Sequence, residues 1–364
     1  MCTGNRFLPT SGAAWTGETS PKVHAASFFL WHCVAMKAIQ AARAGGPEVM
    51  VFTDIPIPEP KGGQLLVRVE AAGVNFIDTY RRAGVYQMPF PHVPGCEGAG
   101  LVEGAGVDAS ARVGQRVAWT DSVTGTYAEY ALVDADQAFA LPDDVSSQTA
   151  AAVALQGLTA DYLTEDTFKV GPDHTVVLYA AAGGVGQLVT QMVLAAGARL
   201  IAVVGSAAKI EPVARLGVAP KDIVVMGTMK QPRLDLPARV AELTDGQGAD
   251  VVYDSIGRET FNASLALTKR RGLVVLFGGS SGQVEPFDPQ ELNSHGSLYL
   301  TRPKLNDYVS APGELDRRAS RLLGLVRSGR LAVSIGAVRP LNQAVQTHRD
   351  LEARQTTGKT LLLP

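Results

Sequence analysis

The hydrophobic rhythm of the chain changes twice. From residue 37 to about 141, short alternating runs dominate. In QLLVRVEAAGV, Leu65, Val67 and Val69 recur every second position, and GAGLVEGAGV, GQRVAWT and YAEYALVD follow the same pattern between Gly and Pro breaks. Such text predicts a β-rich region of barrel or sandwich character. Beyond residue 141, turn residues with candidate helix caps at 143–147 give way to Ala-rich helical text. Apolar strands and helices then alternate: HTVVLYA, RLIAVVG, DIVVM, ADVVYDSIG and GLVVLFGG are near-continuous apolar runs with helical segments between them. Strands that are apolar on both faces belong in a parallel sheet covered by helices on each side, so this section is expected to be a doubly wound nucleotide-type α/β domain. From about residue 297 the tail holds GSLYLTRP, a polar helix near 314–327 and a terminal KTLLL strand. These pieces cannot form a core alone. They are expected to return to the β-rich domain, which places the α/β domain (158–296) as an insertion between 36–157 and 297–364.

The first 35 residues break the pattern. They are polar and irregular, then carry the brief apolar run AASFFLWHCVA, which is too short to span a bilayer and precedes no convincing small-residue cleavage site. They are expected to be a disordered or artefactual extension, with Met36 as the natural first residue.

Composition narrows the function classes. With 364 residues, 46% hydrophobic and 19% charged, the chain can bury more than one core and lacks the signature of disorder. A formal net charge of -2 without a long basic run gives nothing to attract nucleic acid or an anionic membrane. Three widely spaced cysteines, Cys2, Cys33 and Cys96, suggest neither a disulfide framework nor a zinc ribbon, and fit a reducing, cytoplasmic setting.

The chemistry concentrates in LYAAAGGVGQLVTQM, residues 178–192. A strand, the turn Ala181-Ala182-Gly183-Gly184-Val185-Gly186 and a helix stand in the order of the G-x-G-x-x-G dinucleotide fingerprint, with Ala in its first place. Gly183 would let backbone approach a pyrophosphate, Gly186 would let helix and strand pack closely, and the free N–H groups and dipole of the helix start would meet negative charge. Small residues that merely relieve packing would not require the strand–helix alternation that follows. The next strand ends at Gly205 and Ser206, where an NAD-preferring site usually carries Asp or Glu, and Lys209 lies one helical turn on. A missing carboxylate together with a hydroxyl and an ammonium points to the 2′-phosphate of NADP(H), although a solvated helix lysine is the alternative for Lys209.

Several stretches together, GVNFIDTYRRAGVY, AAAGGVGQ, VVYDSIGRET, FGGSSG, GSLYLTRP and LEARQTTGKTLLLP, resemble the zinc-independent quinone oxidoreductases of the medium-chain dehydrogenase/reductase superfamily, the zeta-crystallin-like branch. The resemblance covers residues 36–364. It implies a GroES-like catalytic domain interrupted by a Rossmann domain, an active site in the cleft between them, NADPH as cofactor and a homodimer joined through the Rossmann sheets. It also implies that Asn75 and Tyr80 line the nicotinamide side and that Thr159 touches the cofactor. Gly183, Gly184 and Val185 would hold the pyrophosphate, and Gly205, Ser206 and Lys209 the adenosine phosphate. Ser255, Phe277, Gly278, Leu300 and Thr301 would border the cofactor, and Arg354 would reach it from the C-terminal segment. One departure is Met226, which stands where relatives often place a Tyr near the adenine. The zinc alcohol dehydrogenases of the same superfamily have Cys at the position of Asn75 and His at that of Cys96. A fortuitous site from Cys96, Glu97 and His92 would lack the three well-placed ligands that catalytic zinc requires, so no metal is expected.

Without a Lewis acid, the acceptor must itself stabilise the charge it receives. A quinone does so by becoming aromatic, and an enone or acrylate by forming an enolate. Transfer of hydride, or of single electrons, from NADPH to a quinone is the leading expectation, with Asn75, Tyr80 and Tyr86 near the acceptor. Reduction of activated C=C bonds is the nearest alternative, followed by a non-catalytic NADPH-binding role.

Overall fold

The computed structural model describes residues 35–227 and 235–364. The expected N-terminal extension lies outside these residues except for Ala35, which opens the first strand. Strands β1 (Ala35–Ala41) and β2 (Met50–Pro56) form a hairpin, followed by β3 (Gln64–Val74), α1 (Phe76–Arg82), β4 (Glu97–Ala105), β5 (Arg116–Trp119), β6 (Tyr130–Asp134) and β7 (Ala138–Ala140). Helix α2 (Ser147–Tyr162) leads into β8 (Thr175–Tyr179), α3 (Gly184–Ala195), β9 (Arg199–Val204), α4 (Ile210–Ala214), β10 (Ile223–Val225), α5 (Leu236–Leu243), β11 (Ala249–Asp254), α6 (Phe261–Leu267), β12 (Thr268–Leu276), α7 (Gln290–Ser294) and β13 (Tyr299–Thr301). The chain closes with α8 (Glu314–Arg327), β14 (Ile335–Pro340), α9 (Ala344–Glu352) and β15 (Lys359–Leu363).

The apolar runs become a six-stranded sheet in the order β10-β9-β8-β11-β12-β13. Every pairing in it is parallel, the Rossmann arrangement in which strand order reverses between β8 and β11. The alternating runs form a second, seven-stranded sheet in the GroES-like part. Its axis is β3, whose eleven residues are long enough to pair with β6 at 64–68 and with β15 at 72–74 along one edge, and with β4 along the other.

The C-terminal segment divides differently from the sequence expectation. Strands β14 and β15 do return to the second sheet, but β13 does not. It pairs in parallel with β12, so the Rossmann sheet runs past the expected boundary at 296. The segment around Leu300 is an extended edge strand beside the apolar β12, a pairing that its short, mixed text does not announce. The expected boundary at 157/158 falls within α2. This helix is apolar on nearly every face because it is covered by both sheets: Ala150–Ala154 and Leu158 belong to one buried cluster with Ala71, Ala99 and Ala118 of the first region and Val176, Leu178 and Val251 of the parallel sheet. The two cores are thereby joined through α2.

Candidate active site

A cleft of about 590 Å³ lies at the carboxyl ends of the parallel strands, facing α1. It sits where strand order reverses between β8 and β11, the place where open α/β sheets bind ligands. Its cofactor side is built by the turn from β8 into α3. Gly183, Gly184, Val185 and Gly186 all line the cleft. A Cβ at Gly186 would collide with the carbonyl of Ala180, and one at Gly184 with the side-chain amide of Gln156, so glycine lets α3 begin this close to its neighbours. Ala180, at the strand end, takes a positive φ of 52°, a left-handed conformation uncommon outside glycine, and it also lines the cleft. The N–H groups of the first turn of α3 have no intrahelical acceptor and form a cradle for an anionic pyrophosphate.

The next wall follows β11. Buried Asp254 accepts bonds from the Ile256 N–H at 2.8 Å, the Gly257 N–H at 3.1 Å and the hydroxyls of Thr260 and Ser264, both at 2.8 Å. These bonds fix the turn that presents Ser255 to the cleft. Phe277 and Gly278 after β12, and Thr159 and Tyr162 from α2, complete this side. The sequence signal for Asp254 is only its place three residues before Gly257, at the start of a turn.

Gly205, Ser206 and Lys209 lie beyond the cleft lining, as does Arg354. The structure nevertheless brings two of these cations together across 145 residues of sequence: Lys209 Nζ donates to the Arg354 carbonyl at 3.0 Å. Burial, and then the Arg354 charge, hold the Lys209 ammonium below its usual range, the electrostatic situation of an anion site. Arg354 itself has a positive φ of 58°, and its guanidinium approaches Glu259. Met226 is buried in the core with Val203, Val224 and Val240. Leu300 and Thr301 lie on β13, outside the cleft lining. The cleft lining comes instead from Arg302 to Asn306, because the site lies just past the end of β13 rather than along it.

The acceptor side is formed by α1 and the strands behind it. Asn75, Tyr80 and Tyr86 all line the cleft. Tyr80 and Tyr86 meet edge to face at 5.8 Å. Burial pushes the Tyr80 phenol up to about 12, with Tyr86 adding to the shift and a backbone hydrogen bond from Gly279 opposing it, so Tyr80 keeps its proton at ordinary pH. Asn75 is engaged on both sides of its amide. Its Nδ2 donates to Glu97 Oε2 at 2.8 Å and to the Gly73 carbonyl at 3.3 Å, while its Oδ1 accepts from Lys359 Nζ at 2.8 Å and from Gln156 Nε2 at 3.3 Å. Both amide hydrogens are engaged, so Asn75 shapes the floor of the cleft. Beneath it lies a buried ion pair between Glu97 and Lys359, whose side chains are 0% and 1% exposed. Glu97 Oε1 also accepts the Leu155 N–H at 2.6 Å, which ties this network to α2.

Glu97 is therefore engaged by a cation and two donors. Cys96 lines the cleft, and burial pushes its thiol well up, which keeps it protonated. His92 is held down to about 4, mainly by burial and then by the Arg81 charge, and lies outside the lining. No group of three or more His, Cys, Asp or Glu side chains among the described residues is arranged to hold a metal ion.

Two family models match this chain. Residues 61–143 match an alcohol dehydrogenase GroES-like domain, and residues 184–304 match a zinc-binding dehydrogenase domain. A quinone oxidoreductase of Pseudomonas aeruginosa is 40% identical over 330 residues, 90% of this chain and 99% of that protein. A 2-haloacrylate reductase of a Burkholderia species is 35% identical over 330 residues, 88% of this chain and 97% of that protein. The crystal structure of Escherichia coli quinone oxidoreductase complexed with NADPH superposes with a TM-score of 0.85 at 38% identity, covering 90% of this chain and all of that one.

Proposed function

Because the chain belongs to the zinc-independent quinone oxidoreductases of the medium-chain dehydrogenase/reductase superfamily, we propose that it oxidises NADPH and reduces a quinone in the cleft between its two sheets. The observation that carries this reading is the cleft itself: the anion cradle of α3 and the aromatic wall of Tyr80 and Tyr86 line one cavity of about 590 Å³. When bound, NADPH would supply a hydride, which carries two electrons with one proton, and one further proton from solvent would complete the hydroquinone.

The residues divide this work. Gly183, Gly184 and Val185 hold the pyrophosphate; Gly205, Ser206, Lys209 and Arg354 receive the adenosine 2′-phosphate. Thr159, Ser255, Phe277 and Gly278 border the nicotinamide, and Tyr80 and Tyr86 cover the acceptor. Protonated Tyr80 can donate toward an acceptor oxygen as charge develops there. Asn75 acts through position: with Glu97, Lys359 and Gln156 it keeps the floor of the cleft rigid beside α3.

A homodimer joined at β13 belongs to the same reading, supported by that strand's place at the edge of the parallel sheet and by Tyr299, which is 61% exposed. A cytoplasmic setting is supported by the three widely spaced cysteines. No helix among the described residues is long and apolar enough to cross a membrane.

The relative that reduces 2-haloacrylate keeps a second reading in view, reduction of an activated C=C bond. Turnover of NADPH with 1,4-benzoquinone and with a cyclic enone under identical conditions separates the two. A kcat/KM at least about tenfold higher for the quinone supports the quinone reading, and the reverse order assigns the cleft to C=C reduction.

A further inference from the structure

Helix α1 turns Ile77, Tyr80 and Arg81 toward the cleft, three and four residues apart on one face. Arg81 does not enter the cavity as a free cation. Its Nη1 and Nη2 donate to Oδ1 and Oδ2 of Asp121 at 2.8 and 2.9 Å, a bidentate pair that joins α1 to the segment after β5. Both partners line the cleft, with side chains 18% and 35% exposed. The neighbouring Cys96 thiol and His92 ring are uncharged at ordinary pH, and burial holds the Asp78 carboxyl behind them above its usual range. Asp78 and His92 lie outside the lining, so on this face of the cleft the charge an acceptor meets depends on whether Asp121 offsets Arg81. A guanidinium without its carboxylate in such a partly desolvated cavity would be a bidentate receptor for a carboxylate or sulfonate.

Resting on the quinone reductase reading, we propose that Asp121 is a specificity-determining residue: by neutralising Arg81 it lowers the acceptor pocket's preference for acceptors that carry an anionic group relative to uncharged quinones. Removing the carboxylate charge raises that preference. Arg302 and Lys304, which line the cleft from the segment after β13, are unchanged in the wild type and both variants of the test below, so they do not produce a difference between them.

The test uses a matched pair of acceptors, 1,4-naphthoquinone and 1,4-naphthoquinone-2-sulfonate, with the wild type, Asp121→Asn and the double variant Arg81→Met/Asp121→Asn. For each protein the anionic-to-neutral ratio of kcat/KM is measured, together with the ratio of dissociation constants from quenching of protein fluorescence. Asp121→Asn is expected to raise the preference for the sulfonate by at least about tenfold, the scale of one charge-assisted pair, in a salt-sensitive way. The double variant is expected to lose that gain. Ratios that stay within about twofold in Asp121→Asn, or a gain that persists without Arg81, overturn the proposal. If the wild type turns over neither quinone while the binding ratio still shifts, the quinone reductase reading fails and the assignment of the pocket's charge selectivity stands.

Discussion

Replacing Lys359 with Met tests the floor of the cleft. The ammonium is 1% exposed and forms a close pair with Glu97, which is 0% exposed, while also donating to Asn75 Oδ1 at 2.8 Å. Met fills most of the same volume, so little of the cost comes from a cavity. What changes is Glu97, which keeps only the Asn75 Nδ2 and Leu155 N–H donors and loses its counter-ion in a site closed to water. Breaking a buried pair on one side costs about 3–5 kcal/mol. The lower end is expected here, because two donors remain. A loss of about 3 kcal/mol reduces the folded-to-unfolded ratio by roughly a hundredfold. Denaturant unfolding followed by tryptophan fluorescence reads this directly, and Glu97→Gln in the same chain should return about half of the loss, since an amide needs no counter-ion although its NH2 cannot accept from one of the two donors that Glu97 serves. A loss below about 1 kcal/mol, or a double variant as unstable as Lys359→Met, would refute the view that an unpaired Glu97 charge governs this site.

Lys209→Ala should lower the NADPH-to-NADH ratio of kcat/KM by about tenfold or more, the contribution of one charge-assisted contact to a phosphate; an unchanged ratio would place the 2′-phosphate elsewhere. Acid stability should depend on His348. Burial, and then the adjacent Arg82 charge, lower its folded value from 6.5 to about 3, while its ring bonds Arg82 and Tyr127. The unfolded chain therefore binds the extra proton in this window, so the stabilisation is complete above about pH 6.5 and declines toward pH 3, by at most about 1.4 kcal/mol per pH unit. His348→Gln should flatten that limb in unfolding curves taken across the window; an identical slope would show that other groups set it.

What could be read in the sequence was whatever backbone geometry imposes locally. Gly184 and Gly186 were legible because only glycine lets α3 start against Gln156 and Ala180, and the apolar runs were legible because a sheet covered on both faces demands them. Arg302 and Lys304 were not legible as lining residues: Leu300 and Thr301 carry the recognisable text, while the cleft begins where the strand has ended. Pairs formed only by the tertiary fold left no local trace. Glu97 and Lys359 are 262 residues apart, and Arg81 and Asp121 are 40 apart; nothing in the text around any of them marks a buried partner. Asn75 shows the consequence most clearly. Its place beside the cleft came only from the resemblance of GVNFIDTY, within text that reads as strands, and neither its position at the start of α1 nor its engagement by Glu97, Lys359 and Gln156 left a local trace.

The central claim, that one cleft brings NADPH and a quinone together, is tested most directly by steady-state oxidation of NADPH and of NADH by the chelator-treated full-length protein, with 1,4-benzoquinone as acceptor. Turnover that saturates in both substrates and prefers NADPH is expected; tight NADPH binding without quinone-dependent oxidation would contradict a shared cleft.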